Sequence, residues 1–477
     1  MNLKNYSIAV AALLFFINGA CVAQSALPQL PDTPAANQAK GWLEVFNAGD
    51  VEKRRAFLQK NYPSRLERFD RETEMRRGTG GFDVKKVEES TPAKIVLLIQ
   101  ERMGDQVARF TVEVEPTSPN AIKQFQFQLI PRAGELAIPH LSESELVTSL
   151  RKRIDELVAV DLFSGAVLVA KDGKTVFAQA YGLADREKKT PNTLKTRFRL
   201  GSMNKMFTAV ATLQLAQNGK LDLKAPFGNY LTDYPNKDVA SKVTIEQMLT
   251  HTGGTGDIFG PEFDKNRLEL KTLQDYIKLY GNRGPQFEPG SRWQYSNYGF
   301  LLLGVIVEKV SGQNYYDYVR DHIFKPAGMT ATASEPEDQV VVDRSMGYMR
   351  SDSGDWQPNT DTLPYRGTSA GGGYSTVEDL LKFATALQTN KLLKPEYTEM
   401  LTTGKVETPN GGKYAYGFQE ATVNGTRCFG HGGGAPGMNG ELKICPGPGY
   451  VIAVLANLDP SAATRVADFI TNRLPIK

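Results

Sequence analysis

The sequence predicts an α/β (α+β) domain of two lobes, in which one antiparallel sheet is drawn from both ends of the domain and a helical lobe is inserted between them. A small α+β domain precedes it. Three observations carry this. Period-two alternation of apolar and polar residues runs through four stretches between residues 82 and 132, after a helical stretch. Strand patterns return at two distant places, 165–181 and 414–456. Between those places, from Ser202 to about Gln388, the pattern is mostly helical and broken by Gly- and Pro-rich loops. A chain of 477 residues also exceeds one core, since single cores rarely grow past roughly 300 residues.

The elements follow in order. The first 23 residues carry Lys4, an apolar run from Ile8 to Ile17 and small residues ending in Cys21-Val22-Ala23, which reads as a signal peptide cut after Ala23. The run falls short of the roughly 20 apolar residues that span a bilayer, and no later segment reaches that length. The mature chain is therefore expected to be exported, periplasmic or secreted, without a transmembrane segment. A lipid anchor on Cys21 is disfavoured by polar Asn18, where such sites usually carry an apolar residue. With Cys21 gone, Cys428 and Cys445 remain near the ends of neighbouring strands; a disulfide and two buried thiols are equally good readings.

Residues 24–36 form a Pro- and Ala-rich linker. In 37–132, NQAKGWLEVFNAGDVEKRRAFLQKNY predicts two short helices broken at Asn47-Ala48-Gly49-Asp50, and FDVKKVEES, AKIVLLIQER, QVARFTVEVEP and KQFQFQLIPR predict an antiparallel sheet. This small domain resembles the nuclear-transport-factor or cystatin type, and its role is open between a ligand pocket and a packing module. In 145–477 an amphipathic helix, ESELVTSLRKRIDELVAV, leads into a hairpin, GAVLVA and TVFAQAYG, turned at Lys171-Asp172-Gly173-Lys174. The strands YAYGFQEATV, TRCFGHGG, GELKICP and YVIAVLAN and a last helix close the domain. A cleft is expected where the two lobes meet. The 56 basic and 53 acidic residues leave a net charge of only +3, so no field exists to hold a polyanion and nucleic acid is not an expected partner.

Ser202 and Lys205 stand three residues apart, on one helix face, at the head of the apolar run MFTAVATLQLAQ. A helix apolar on nearly every face is buried almost all round. Burial strips water from an ammonium and lowers its pKa from about 10.4, so that part of Lys205 serves as a neutral base. The positive helix end works in the same direction and favours an oxyanion at Ser202. Serine with lysine as proton acceptor is a nucleophile–base pair. The spacing alone says little: Ser149-Leu150-Arg151-Lys152 repeats it on a charged amphipathic helix, where a solvated surface pair is the simpler reading.

Two later stretches add to this. Tyr295 and Asn297 lie on a turn before the apolar helix YGFLLLGVIVEKV; Asn297 reads either as a helix cap or as part of the site. A tyrosine beside an ammonium has its pKa lowered, so Tyr295 is expected to relay the proton from Ser202 to the leaving group. His431 begins a run with Gly432, Gly433 and Gly434 at the end of a strand. Glycine weakens a strand unless something approaches the backbone closely, and a substrate lying along this edge would do so. The N–H of Gly434 would then join that of Ser202 as an oxyanion hole.

Ser202-Met203-Asn204-Lys205, Tyr295-Ser296-Asn297 and His431-Gly432-Gly433, in that order, resemble the three signature motifs of the serine β-lactamase and penicillin-binding-protein superfamily. The class C branch, with its esterase and D-amino-acid peptidase relatives, is the most similar, over about residues 145 to 475. The resemblance implies Ser202 as acylated nucleophile, Lys205 and Tyr295 as general base and acid, Asn297 as orienting amide, and His431, Gly432 and Gly433 as a substrate-positioning wall. His251 and Thr252 match a family loop taken as structural. The lactamases usually carry Lys-Thr-Gly where this chain has His431-Gly432-Gly433. A histidine near pKa 6.5 is mostly neutral at pH 7 and offers no fixed charge to a β-lactam carboxylate.

These readings add up to an exported serine hydrolase that cleaves an ester or amide, including D-amino-acid peptides, in a small-molecule or peptide substrate through an acyl-enzyme, without metal or cofactor. A penicillin-binding protein or weak β-lactamase is the alternative within the same chemistry. A non-catalytic ligand-binding protein on the same fold is the alternative from another class. Substrate identity rests on loops such as Asp257 to Arg267 and Asp352 to Arg366, which periodicity does not describe.

Overall fold

The computed structural model describes residues 30–476, apart from 116, 133, 352, 353 and 410. The signal-peptide segment, Cys21 and the cut after Ala23 lie outside the described residues. The chain divides into two compact units, Met1–Arg132 and Ala133–Lys477.

In the first unit, α1 (Pro34–Ala48), α2 (Val51–Asn61) and α3 (Phe69–Thr79) precede β1 (Phe82–Ser90), β2 (Lys94–Glu101), β3 (Val107–Glu115) and β4 (Ser118–Ile130), paired antiparallel in chain order. α1 begins at Thr33, whose hydroxyl accepts from the Ala36 N–H, and ends at Gly49 with φ +75°. Its apolar face sets Trp42 against Phe46, Phe110, Phe125 and Phe127, with ring centroids 4.4 to 5.6 Å apart. Helices before sheet follow the sequence expectation, but the described residues hold three α-helices rather than two. FDRETEMRRGT buries only Phe69 and Glu72, so α3 carries no apolar stripe for periodicity to detect. Buried Glu72 accepts from the Trp42 indole at 2.9 Å and pairs with Arg65 at 3.3 Å.

The second unit opens with α4 (Glu143–Ala159), started by a capping box between Ser142 and Glu145. The hairpin β5 (Gly165–Lys171) and β6 (Lys174–Tyr181) follows. The last part of the chain contributes β7 (Val406–Glu407), β8 (Lys413–Tyr414), β9 (Gln419–Val423), β10 (Thr426–Ala435), β11 (Met438–Cys445) and β12 (Tyr450–Ala456). All eight pair antiparallel in the order β7-β8-β9-β10-β11-β12-β5-β6, one sheet from both ends of the unit. Every residue of β12 is buried, and so is β5 up to Lys171, because helices cover both faces there. This explains the continuous apolar runs. Cys428 and Cys445 form a disulfide between the facing strands β10 and β11.

α5 (Asn204–Gln217) and α6 (Asn297–Ser311) carry site residues, and α7 (Val377–Gln388) and α8 (Ala462–Thr471) pack against β12. α5 is buried without interruption from Asn204 to Leu215, as its all-round apolar pattern requires. The expected strand YAYGFQEATV is split between β8 and β9. Gly417, at φ +68°, turns the chain there, and a β-carbon on it would come within 2.7 Å of the Lys205 carbonyl oxygen.

Candidate active site

Ser202 occupies a 3-10 turn, Gly201–Met203, that runs into α5. Between buried Gly201 and Met203 it is the partly exposed residue. The turn is held against the open edge of β10. A β-carbon on Gly433 would lie 1.9 Å from the Leu200 oxygen and 3.1 Å from the Ser202 nitrogen, and one on Gly201 would lie 3.0 Å from the Gly434 nitrogen. A β-carbon on Gly432 would lie 2.6 Å from Glu441 Oε1. The sequence reading assigned this glycine run to an approaching substrate. The protein's own 200–202 backbone and the Glu441 side chain also approach this run closely, which by itself favours glycine at 432 and 433.

β9 pairs with β10 only as far as Gly430, and the two-residue turn after Ala435 makes Ala435 and Met438 a hydrogen-bonded pair. By alternation, Gly434 sits opposite Asn439 in a non-bonded position, and its N–H points out at the open edge beside Ser202. The structure thus brings together the two amides expected to hold an oxyanion.

Lys205 is fully buried. Its Nζ lies 2.7 Å from Asn297 Oδ1, 2.5 Å from the Ala370 carbonyl oxygen and 3.2 Å from Ser202 Oγ. Loss of solvent brings its pKa down to about 7, against a smaller upward pull from the Asp257 carboxylate. The first two contacts are acceptors only, and a neutral amine has two N–H bonds to give. Once both carbonyl oxygens are served, the lone pair is left facing the Ser202 hydroxyl. The Ser149 and Lys152 pair, by contrast, lies on the outer side of α4, with Lys152 exposed.

Tyr295 lies beside this pair, with the Lys205 amine 4.7 Å from its ring centroid. The expectation that a neighbouring ammonium lowers its pKa is overturned. Burial raises the phenol well above 10, and the adjacent Ser202 hydroxyl recovers only part of that. Lys205 is itself discharged near neutrality, so Tyr295 remains a protonated phenol. Asn297 opens α6, where Ser296, not Asn297, is the cap: the Ser296 hydroxyl accepts from the Gly299 N–H at 3.0 Å. Asn297 is thereby released for the site, and its Nδ2 donates to both oxygens of Asp257, at 2.9 and 3.2 Å.

His431 departs from expectation in a second way. It is buried; Nδ1 donates to the Gly432 oxygen at 2.5 Å and Nε2 accepts from the Tyr414 hydroxyl at 2.9 Å. Burial, reinforced by Lys205, pulls its pKa from 6.5 to about 3. It therefore forms a neutral wall with both nitrogens engaged inside the protein, not an imidazole of ordinary pKa. His251, buried at φ +60°, accepts from the Ser296 N–H at 3.1 Å through Nδ1 and lies 4.3 Å from the Tyr295 ring. Its pKa also falls well below 6.5, mainly through burial. Asp257, the Ala370 carbonyl and Tyr414 were not singled out as site groups by the sequence, because each arrives from a loop or strand far along the chain.

Residues 150–474 match a family model described as Beta-lactamase. A curated relative, the putative penicillin-binding protein PbpX of Bacillus subtilis (strain 168), is 32% identical over 302 residues, covering 63% of this chain and 72% of the relative. The crystal structure of a penicillin binding protein from Bacillus halodurans superposes with a TM-score of 0.60 at 33% identity, over 65% of this chain and 97% of that one. A D-stereospecific amidohydrolase from Streptomyces sp. is similar at a TM-score of 0.58 and 27% identity, over 70% of this chain and 98% of that one.

Proposed function

Because the chain belongs to the β-lactamase family, we propose that its second unit is a serine hydrolase that cleaves amides or esters, D-amino-acid derivatives among them, through an acyl-enzyme on Ser202. The observation that carries this is the orientation of Lys205, whose two N–H bonds are taken by Asn297 and Ala370. Ser202 Oγ attacks the substrate carbonyl carbon and gives its proton to the Lys205 nitrogen. The carbonyl oxygen becomes an oxyanion received by the amides of Ser202 and Gly434. Its collapse breaks the bond to the amine or alcohol, which leaves with a proton from the Tyr295 phenol, restored in turn from Lys205. Water then enters by the same route in reverse and frees the acid.

Neutral His431 supports amides and esters over β-lactams, since it supplies no cation for a carboxylate beside the scissile bond. The apolar leader, Ile8 to Ile17, and the Cys428–Cys445 disulfide support export to an oxidising compartment. The experiment is a turnover panel of D- and L-aminoacyl anilides, short-chain esters and benzylpenicillin, run on the wild type and Ser202→Ala. Turnover of an anilide or ester by the wild type alone is the expected result. A panel on which only benzylpenicillin is rapidly hydrolysed would overturn the substrate reading.

A further inference from the structure

Asp257 has no place in the three motifs, yet the structure builds it into the site. Its backbone carbonyl accepts from Arg283 at 3.0 Å, the preceding Gly256 carbonyl accepts from Ser296 Oγ at 2.5 Å, and the following Ile258 carbonyl accepts from Tyr280 at 3.0 Å. Its own Oδ1 accepts from the Ile258 N–H at 2.6 Å, so the carboxylate is held before any substrate arrives. Both oxygens then face Asn297 Nδ2.

We propose that Asp257 is a positioning residue of the acyl-transfer site: it clamps the Asn297 amide so that the amide oxygen faces Lys205, and it places one negative charge behind that amine. The inference rests on the serine-hydrolase reading above. An amide can flip, and its two ends are nearly the same size. With Nδ2 turned toward Lys205, a donor would meet the amine and draw its lone pair away from Ser202. A carboxylate only accepts, so beside Asn297 it admits one orientation alone. The amine keeps an acceptor on each N–H, and its lone pair stays on the serine.

The charge has a separate effect. Facing Lys205 are the Tyr295 phenol, the neutral imidazoles of His251 and His431, and the Asp257 carboxylate. Asp257 is the carboxylate in that set, and its coulombic pull favours the ammonium. Removing the charge lowers the lysine pKa further and makes more of the amine a base at acidic pH.

The test is the rate of Ser202 phosphonylation by a fluorophosphonate probe from pH 5 to 9, followed by intact mass. Asp257→Asn keeps an acceptor for Asn297 and removes the charge. Its acid limb is expected to move at least half a pH unit below that of the wild type. Asp257→Ala also removes the clamp, and its plateau rate is expected to fall at least tenfold; circular dichroism melting checks its fold. An Asp257→Asn profile that superimposes on a labelling wild type overturns the proposal and leaves the serine-hydrolase reading standing. A wild type that takes no label overturns that reading, and with it this one.

Discussion

Lys205 is the residue on which the chemistry depends, and its burial sets a pH profile. In the proposed mechanism the neutral amine is the base, and burial brings its pKa to about 7, so kcat/KM is expected to rise with pH through an acid limb near 7. A limb near 5 or above 9 in steady-state kinetics would contradict this. Lys205→Met keeps the apolar packing and removes the base, and the acylation rate is expected to fall by roughly a hundredfold to ten-thousandfold. Ser202 and Lys205 drew attention in the sequence because they head an otherwise apolar helix, and Tyr295 because Tyr295-Ser296-Asn297 resembles a family motif. Asp257 was not, because it lies 40 residues before Asn297 and only the folded loop joins them. The tautomers of His251 and His431 were equally hidden, being set by partners on other elements.

At the scale of elements, the close approach of the 200–202 turn to β10 sets the Ser202 and Gly434 amides, the proposed oxyanion pair, side by side. Gly433→Ala forces a β-carbon against the Leu200 backbone oxygen, at 1.9 Å without relaxation, and only a backbone shift relieves it. Acylation is expected to fall at least tenfold. Gly432→Ala meets the end of the Glu441 side chain, which can swing aside, so its effect is expected to be smaller. Equal rates for the two variants in probe labelling would contradict this account of the glycine run. The disulfide ties β10 to β11 at the base of the same strand and closes a loop with a sequence separation of 17. The paired Cys428→Ser and Cys445→Ser substitution is expected to cost about 3 kcal/mol, read as a lower melting temperature. The sheet was legible because its strands alternate or run apolar between clear turns. α3 was not, since a helix that buries two side chains leaves no period.

At the scale of the molecule, two neutral imidazoles inside the second unit make it sensitive to acid. The unfolded chain binds a proton at each near pH 6.5, whereas folded His431 takes one only at about 3 and His251 well below 6.5. Stability is therefore lost as pH falls from about 6.5, at up to roughly 1.4 kcal/mol per pH unit for each group. Lys205 works the same way in another window. Its folded pKa of about 7 lies below the unfolded value of 10.5, so stability rises with pH between the two. Melting temperatures from pH 4 to 7 are expected to rise less steeply in His431→Gln than in the wild type; identical slopes would contradict the neutral, buried assignment.

The central claim is that Lys205 activates Ser202 as a nucleophile. The most direct measurement is peptide mapping after fluorophosphonate labelling at pH 8 of the wild type, Ser202→Ala and Lys205→Met. The account predicts one adduct per wild-type chain, on the peptide carrying Ser202, none on Ser202→Ala, and labelling slowed at least a hundredfold in Lys205→Met. A wild-type adduct on another residue, or undiminished labelling without Lys205, would contradict it.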